Sequence, residues 1–527
     1  MNPRSPLPFT VLSERIRDPK MNVPLRADSR HRSGWLLRAS LCFLWLALLG
    51  APAGVPAAPV ATPGPKVFKA GAATANITPQ LGDGIVGNFD VPPATHVHDE
   101  LHARCLALDD GTTRLVFVVV DSVSVNREVF DEAKRRIHAA TGVPVAHLMM
   151  SATHTHSATS ARGPNAFVMR AGAAAADAAP GLSLDNYQTF LALRIADGVQ
   201  RALNNLAPAR IGWGAGQVPQ HVFNRRWLLK EGKTAVNPFG EQDRAIMNPG
   251  SGRKDLERPA GPVNPEVYFI SIESKNGRPL ALLTNYWLHY VGGVPNGHIS
   301  ADYFGVFCDR LQQLLGADRQ DPPFVGLLAN GPCGDVNNID ITTPAPKYAP
   351  YEKMRIVADD VAREVMRVRA TFQHREWVEL KAAQAELDLQ TRRPGPELVA
   401  RARQIVARPA TISPIHRHEK AYAERTISAA DWPESLSIVL QTFRIGDLGI
   451  AAIPFEVFTE IGLELKAKSP FKDTFTIELA NGGYGYLPTP EQHAVGGYET
   501  WLGTNRVERE ASQKIVTTLL GLFERVK

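Results

Sequence analysis

An α/β body with mixed β-sheets flanked by helices is the fold class this sequence predicts, on three observations. Apolar runs rich in Val, Ile and Leu alternate with segments of helical periodicity, as strand–helix–strand units do. Several of those runs break off abruptly into polar residues. From Trp377 onward the pattern turns antiparallel, with a hairpin turn at Gly446-Asp447 between two apolar stretches.

Before that body lies an export signal. Residues 1–40 carry eight basic and three acidic residues, and residues 41–60 carry no charge. The apolar run Leu41 to Leu49 is followed by small residues up to Ala58, the three-part pattern of a secretory signal peptide. The run is too short for a comfortable membrane span. Residues 1–58 therefore read as a signal peptide with a long basic n-region, 59–66 as a Pro/Ala/Gly linker and 67–527 as the mature domain. A secreted or periplasmic location with no stable membrane span after cleavage follows. The whole chain has a formal net charge of +5, all of it in the first 40 residues, so the body sums to zero. That excludes a basic nucleic-acid-binding surface as its organising feature.

Within the body, residues 114–120 read as a Val-rich strand ending at Asp121. Residues 126–140 follow as a helix with Val129, Ala133, Ile137 and Ala140 on one face. Residues 143–150 read as a buried strand and 187–206 as an amphipathic helix. Residues 218–263 are loop-rich. Strands are expected at 267–273, 280–288 and 324–329, and helices at 303–315 and 354–370. The hairpin strands are 437–443 and 448–453. A helix over 455–466, a strand over 475–479 and a closing helix from about 506 to 525 complete the chain. Two strand–helix–strand units end in polar residues, at His154 and at 330–338, which hints at two related halves. Three cysteines remain after cleavage, Cys105, Cys308 and Cys333, so at most one disulfide is expected, with a free thiol.

Chemistry is concentrated where strands end. In Ser151-Ala152-Thr153-His154-Thr155-His156-Ser157, two imidazoles two residues apart leave an apolar strand. They read either as a metal or acid–base pair facing one ligand or as two surface histidines. Leu283 through His289 ends a second apolar strand with an imidazole. In Asn330-Gly331-Pro332-Cys333-Gly334-Asp335-Val336-Asn337-Asn338, glycines permit close backbone approach while Asp and Asn supply hydrogen bonds. Glu456, in Ile453-Pro454-Phe455-Glu456, is costly to bury unless it caps, pairs or binds a metal; taken alone it reads rather as a first-turn helix glutamate. Asn481 to Glu491 and Gly496 to Glu499 place Tyr484, Tyr486 and Tyr498 in Gly-rich loops. A second His-x-His, Thr95-His96-Val97-His98-Asp99, lies in a loop expected to line a pocket. His416 and His418, beside Arg417, read as a solvated turn.

Taken in order, these pieces resemble the neutral, non-lysosomal ceramidase family. The resemblance spans nearly the whole mature chain, from Asn76-Ile77-Thr78-Pro79 through Thr153–Ser157, Asn224-Arg225, Asn285–His289, Gly334-Asp335-Val336 and Pro454-Phe455-Glu456 to Tyr486 and Tyr498-Glu499. It implies a mononuclear zinc amidohydrolase cleaving an N-acyl bond with a zinc-activated water. His154, His289, Glu456 and Tyr486 match the family's Zn2+ ligands. His156 matches the histidine facing the scissile bond, and Arg225 and Tyr498 match residues on the substrate side. Two departures bear on the substrate. The family's Gly-Asp-Val continues into a Ser-Pro needed for ceramide cleavage, whereas the serine position here is Asn337, followed by Asn338. The family continues into a C-terminal β-sandwich, whereas this chain ends 28 residues after Glu499. The expected partner is therefore a small N-acyl or otherwise acylated molecule, amide or ester, with an acylated sugar as one form. A non-catalytic binding protein on the same scaffold is the other alternative. Oligomeric state is not set by the sequence.

Overall fold

One succession of elements, strand–strand–strand–helix–strand–helix, occurs three times among the described residues. The computed structural model describes residues 66–87, 90–161 and 184–527; the expected signal peptide and the linker up to residue 65 lie outside the described residues. The first copy is β1 (Lys69–Asn76), β2 (His102–Asp109), β3 (Arg114–Val120), α1 (Arg127–Thr141), β4 (Leu148–Ala152) and α2 (Asn186–Asn204). The second is β5 (Ala207–Gln217), β6 (Glu266–Ser274), β7 (Pro279–Tyr286), α3 (Asp302–Leu314), β8 (Val325–Asn330) and α4 (Glu352–Arg369). The third starts with β9 (Leu380–Gln390). Two helices follow, α5 (Pro396–Ala407) and α6 (Glu419–Ala429), before β10 (Ser435–Ile445), β11 (Leu448–Ala452), α7 (Thr459–Lys468) and β12 (Asp473–Ile477). The short α8 (Pro490–Val495) then precedes α9 (Ala511–Val526). In every copy the first three strands are antiparallel neighbours and the fourth pairs parallel with the third. A parallel pair needs a crossover, and α1, α3 and α7 supply it.

The first two copies join through β1 and β5 into one eight-stranded sheet, β8-β7-β6-β5-β1-β2-β3-β4, and the third forms a four-stranded sheet, β9-β10-β11-β12. The two sheets pack face to face. Leu106, Ile211, Ile270 and Leu283 of the larger sheet share a core with Leu380, Ile445, Ile450 and Phe475 of the smaller. The rings of Phe117 and Phe443 meet at 5.2 Å. Helices cover the outer faces, α1 and α2 over the first copy, α3 and α4 over the second, α7 and α9 over the third. A strand buried on both faces must be apolar throughout, which is why Leu115 to Val120 reads as an unbroken hydrophobic run. Helix α1 buries Val129, Phe130, Ala133 and Ile137 and stops at Gly142, whose φ of 71° is the left-handed turn that glycine takes cheaply. Helix α2 begins with a capping box between Asp185 and Gln188.

Several sequence expectations need correction. The two related halves are three. Strand β1 has the sequence KAGAATAN, with Thr74 its one β-branched residue and no Val, Ile or aromatic to mark a strand. Its small residues are there because α2 lies on it: a Cβ at Gly71 would sit 2.3 Å from the Ala202 carbonyl oxygen. The run from residue 143 is a strand only from Leu148, after a 3-10 turn at Val145–His147. The helix expected at 455 begins at Thr459, because Glu456-Val457 pairs in parallel with Tyr486-Leu487. The loop-rich segment contains a small sheet of Arg226–Leu229 between Ala245–Met247 and Leu256–Pro259. Cys105, Cys308 and Cys333 are all free and buried. Among the described residues no helix is long and apolar enough to cross a membrane.

Candidate functional site

The loops that follow the third and fourth strands of the three copies interlock, and the polar strand ends of the sequence meet there. Asn330, closing β8, donates to the Thr153 carbonyl after β4 at 2.8 Å. The Asn481 amide, beyond β12, donates to the Met150 carbonyl at 2.8 Å. His154 sits in the tight turn this requires, with a φ of 69° that is unusual for a non-glycine residue. Its backbone N–H donates to the Ser122 carbonyl at 2.9 Å.

Two backbone carbonyls fix the imidazole tautomers. His154 Nδ1 lies 2.6 Å from the Val123 carbonyl oxygen, and His289 Nδ1 lies 3.1 Å from the Cys333 carbonyl oxygen. A carbonyl only accepts, so each Nδ1 carries the proton and each Nε2 of the neutral ring presents a lone pair. Those two Nε2 atoms are 3.0 Å apart, and His156 Nε2 is 3.1 Å from that of His154. Glu456 Oε2 lies 3.4 Å from His154 Nε2 and 3.9 Å from His289 Nε2, and accepts no hydrogen bond. Arg225 Nη1 approaches His289 Nε2 at 3.4 Å, and the imidazole lone pairs that converge beside the carboxylate oxygen suit a cation. The donor set and its convergence therefore fit a metal ion, and His154, His156 and His289 could hold one. Burial pushes the His289 imidazole well below its ordinary pKa, helped by His154 and Arg225, which keeps the ring neutral.

The other side of the cluster is built from charge and aromatic rings. The Arg225 guanidinium stands 5.1 Å over the Tyr486 ring and donates through Nε to Glu499 Oε1 at 2.9 Å. Glu499 is fully buried, and its second oxygen accepts from Arg226 Nη1 at 2.5 Å. Tyr486 meets Tyr498 edge-on at 5.8 Å. Burial raises both phenols above their ordinary pKa, most strongly Tyr486, where Arg225 pulls the other way.

A cavity of about 1050 Å³ opens on this cluster, with His154, His156, Glu456, Tyr486 and Tyr498 in its wall. Arg225 and His289 stand outside that wall and reach the cluster from behind. Asn337 also lies outside the cavity lining. It sits on a two-residue strand paired with Phe223–Asn224, donates to Asn248 Oδ1 at 2.6 Å and accepts from the Ile339 amide at 3.0 Å. The second His-x-His motif does not line the cavity either. His96 lies on a short strand beside His298, and His98 stacks on Tyr351 at 3.7 Å. Asp83, Val86 and Val91 of the preceding loop form the wall instead. His416 and His418 sit half-buried in the turn just ahead of α6, beside exposed Arg417 and Lys420 as expected, with His416 against the edge of Trp501.

Sequence reasoning missed several participants. Tyr290 stacks on His156 at 3.7 Å, and Gly87 approaches the same ring, where a Cβ would lie 2.6 Å from it. Helix α6 contributes Glu424 and Arg425 to the cavity wall. Tyr290 follows His289 directly, a signal within reach; nothing in the composition of α6 marks it.

The architecture is that of a ceramidase catalytic body. It is similar to the neutral ceramidase from Pseudomonas aeruginosa at 19% identity and a TM-score of 0.63, covering 88% of this chain and 75% of that one. A ceramidase solved in complex with C2 matches at 17% identity and a TM-score of 0.63, covering 88% and 76%. No curated relative matches the sequence. The family model for the N-terminal part of neutral/alkaline non-lysosomal ceramidase matches residues 68–344, more than half of the chain. The protein belongs to that family and is a ceramidase-like hydrolase.

Proposed function

We propose that the protein is an exported zinc-dependent hydrolase that cleaves an N-acyl bond in the cavity beside His154. The observation that carries this reading is the convergence of the His154 and His289 Nε2 lone pairs with Glu456 Oε2 at the cavity wall. Zinc suits two or three imidazoles with a carboxylate, and the buried Tyr486 phenol completes an N/O donor set. When bound it supplies Lewis acidity to the acyl carbonyl and to the attacking water.

The chain's own residues do the rest. Arg225, locked between Glu499 and the Tyr486 ring, and the Tyr498 hydroxyl stabilise negative charge developing on the acyl oxygen. His156, on the cavity wall against Tyr290 and close to Gly87, gives its proton to the leaving nitrogen, so that amide and water become acid and amine. Gly87 and Tyr290 hold that ring in one orientation, which limits the directions in which the proton can be delivered. Asn337 stands where the family has serine. Its carboxamide is engaged with Asn248 and Ile339, so it supports the strand Phe223–Asn224 that precedes Arg225 and takes no part in bond cleavage. This chain thus resembles ceramidases in its metal cluster and differs at the position they use for ceramide, which favours a smaller acylated substrate.

The test is hydrolysis by the zinc-loaded mature protein of a panel of N-acyl amines, N-acyl amino acids, acylated sugars, acyl esters and ceramide. Release of carboxylic acid from N-acyl substrates, lost in His154→Ala, is expected. Stoichiometric zinc with no turnover on any amide or ester overturns the enzymatic reading in favour of a binding protein.

A further inference from the structure

Glu478 is a buried carboxylate that the hydrolytic reading does not use. It follows β12 and is fully buried. Its Oε2 accepts from the Val457 amide at 2.7 Å and from the Cys333 amide at 3.2 Å, and its Oε1 accepts from Cys333 Sγ at 2.9 Å. Its own backbone N–H donates to the Asn330 carbonyl at 3.0 Å. One side chain therefore ties together two loops from different sheets. The first is the loop after β8, whose Cys333 carbonyl receives the His289 Nδ1 proton. The second is the strand end after β11, where Val457 follows Glu456. The loops are already in contact: the Gly334 amide donates to the Val457 carbonyl at 2.8 Å, and a Cβ at Gly334 would lie 2.6 Å from the Glu456 carbonyl oxygen.

A fully buried carboxylate is costly unless its lone pairs are met. Here three donors meet them, two from Cys333, whose carbonyl holds His289, and one from Val457, which follows Glu456. The same carboxylate thus reaches both the residue whose carbonyl orients His289 and the residue that follows Glu456.

We propose that Glu478 is a positioning residue for the metal cluster, clamping the Cys333 loop to Val457 and so setting the spacing of His289 against Glu456. The proposal rests on the metal-site reading above. It concerns ligand geometry, because Glu478 reaches the cluster only through the Cys333 carbonyl and the Glu456 backbone. Replacing one oxygen by an amide, as in Glu478→Gln, turns an N–H toward one set of donors and opens the clamp while keeping the volume.

The experiment uses the full mature chain, with Co2+ and Zn2+ as probes. Competition against a chromogenic chelator reads affinity, the visible Co2+ spectrum reads ligand geometry, and the thermal melt of the metal-free protein reads folding. Glu478→Gln is expected to fold, to bind Zn2+ roughly 10- to 100-fold more weakly and to show a shifted Co2+ spectrum, the size of effect that losing an outer partner of a ligand has. A folded Glu478→Gln with wild-type affinity and spectrum overturns the proposal. If Glu478→Gln does not fold, Cys333→Ala carries the test, since it removes one donor and leaves the carboxylate. Weakening by several-fold is then expected, and unchanged affinity and spectrum overturn the clamp. Failure of the unmodified protein to bind either metal would instead defeat the metal-site reading itself.

Discussion

The eight-stranded sheet brings nitrogen to the site, and the four-stranded sheet with its following loops brings oxygen. His154, His156 and His289 leave β4 and β7, whereas Glu456, Tyr486 and Tyr498 follow β11 and β12. The two regions hold their donors by different means. Backbone carbonyls of Val123 and Cys333 fix two of the imidazoles, so their tautomer and direction are set by the fold itself. The oxygen side is held by charge: Arg225 stands over Tyr486, and Glu499 holds Arg225 and Arg226 together in a fully buried cluster. A site held by backbone on one side and by a buried ion network on the other should fail differently when each is cut.

The largest effect is expected on the nitrogen side. His154→Ala or His289→Ala removes one of the converging donors, so activity should fall to background. Zinc affinity, measured by chelator competition, should drop beyond the roughly 10- to 100-fold that an outer partner costs. The fold, read by circular dichroism, should persist.

Cutting the oxygen side should act first on stability. Glu499→Gln leaves two buried guanidiniums short of their shared carboxylate, and breaking a buried pair in this way costs about 3–5 kcal/mol. Denaturant unfolding of the metal-free protein should show that loss. Zinc affinity should change less than in the histidine variants; equal losses would erase the distinction between the two sides. Tyr498→Phe, which removes one hydroxyl from the cavity wall, should lower kcat while leaving KM and metal content near those of the unmodified protein.

The smallest effect concerns pH. His493 in α8, on the oxygen side near Arg226, is pushed down to about 3 by burial and by Arg392, Arg509 and Arg226. An unfolded histidine titrates near 6.5, so between those two values the unfolded chain takes up a proton the folded one refuses. Stability should therefore fall as the pH drops from about 6.5 toward 3, and His493→Gln should flatten that fall in thermal melts taken across the range.

The nitrogen side was the more legible of the two in sequence. His154 and His289 each end an apolar run, and a polar residue closing a buried strand stands out against its neighbours. Glu456 was ambiguous because the same residues suit the first turn of a helix; the pairing of Glu456-Val457 with Tyr486-Leu487 decides it, a contact between residues 30 apart. The Val-rich β3 was read at its observed bounds, whereas β1 and β5 were missed because their Ala and Gly residues are chosen for closeness to a helix or ring. At Gly212, for instance, a Cβ would lie 2.3 Å from the Phe372 ring. The threefold succession was seen as two because its third copy is interrupted by α5 and α6. Glu478 carries no local signal at all, since its meaning lies in the two loops it joins.

The central claim is that imidazole nitrogen and carboxylate or phenol oxygen, and no sulfur, hold the metal, although the Cys333 sulfur lies only 3.7 Å from His289 Nδ1. Zinc K-edge X-ray absorption of the loaded protein tests it directly. The account predicts a first shell of nitrogen and oxygen at about 2.0–2.2 Å with the outer scattering of imidazole rings. A sulfur scatterer at about 2.3 Å, or a shell without imidazole, would contradict it.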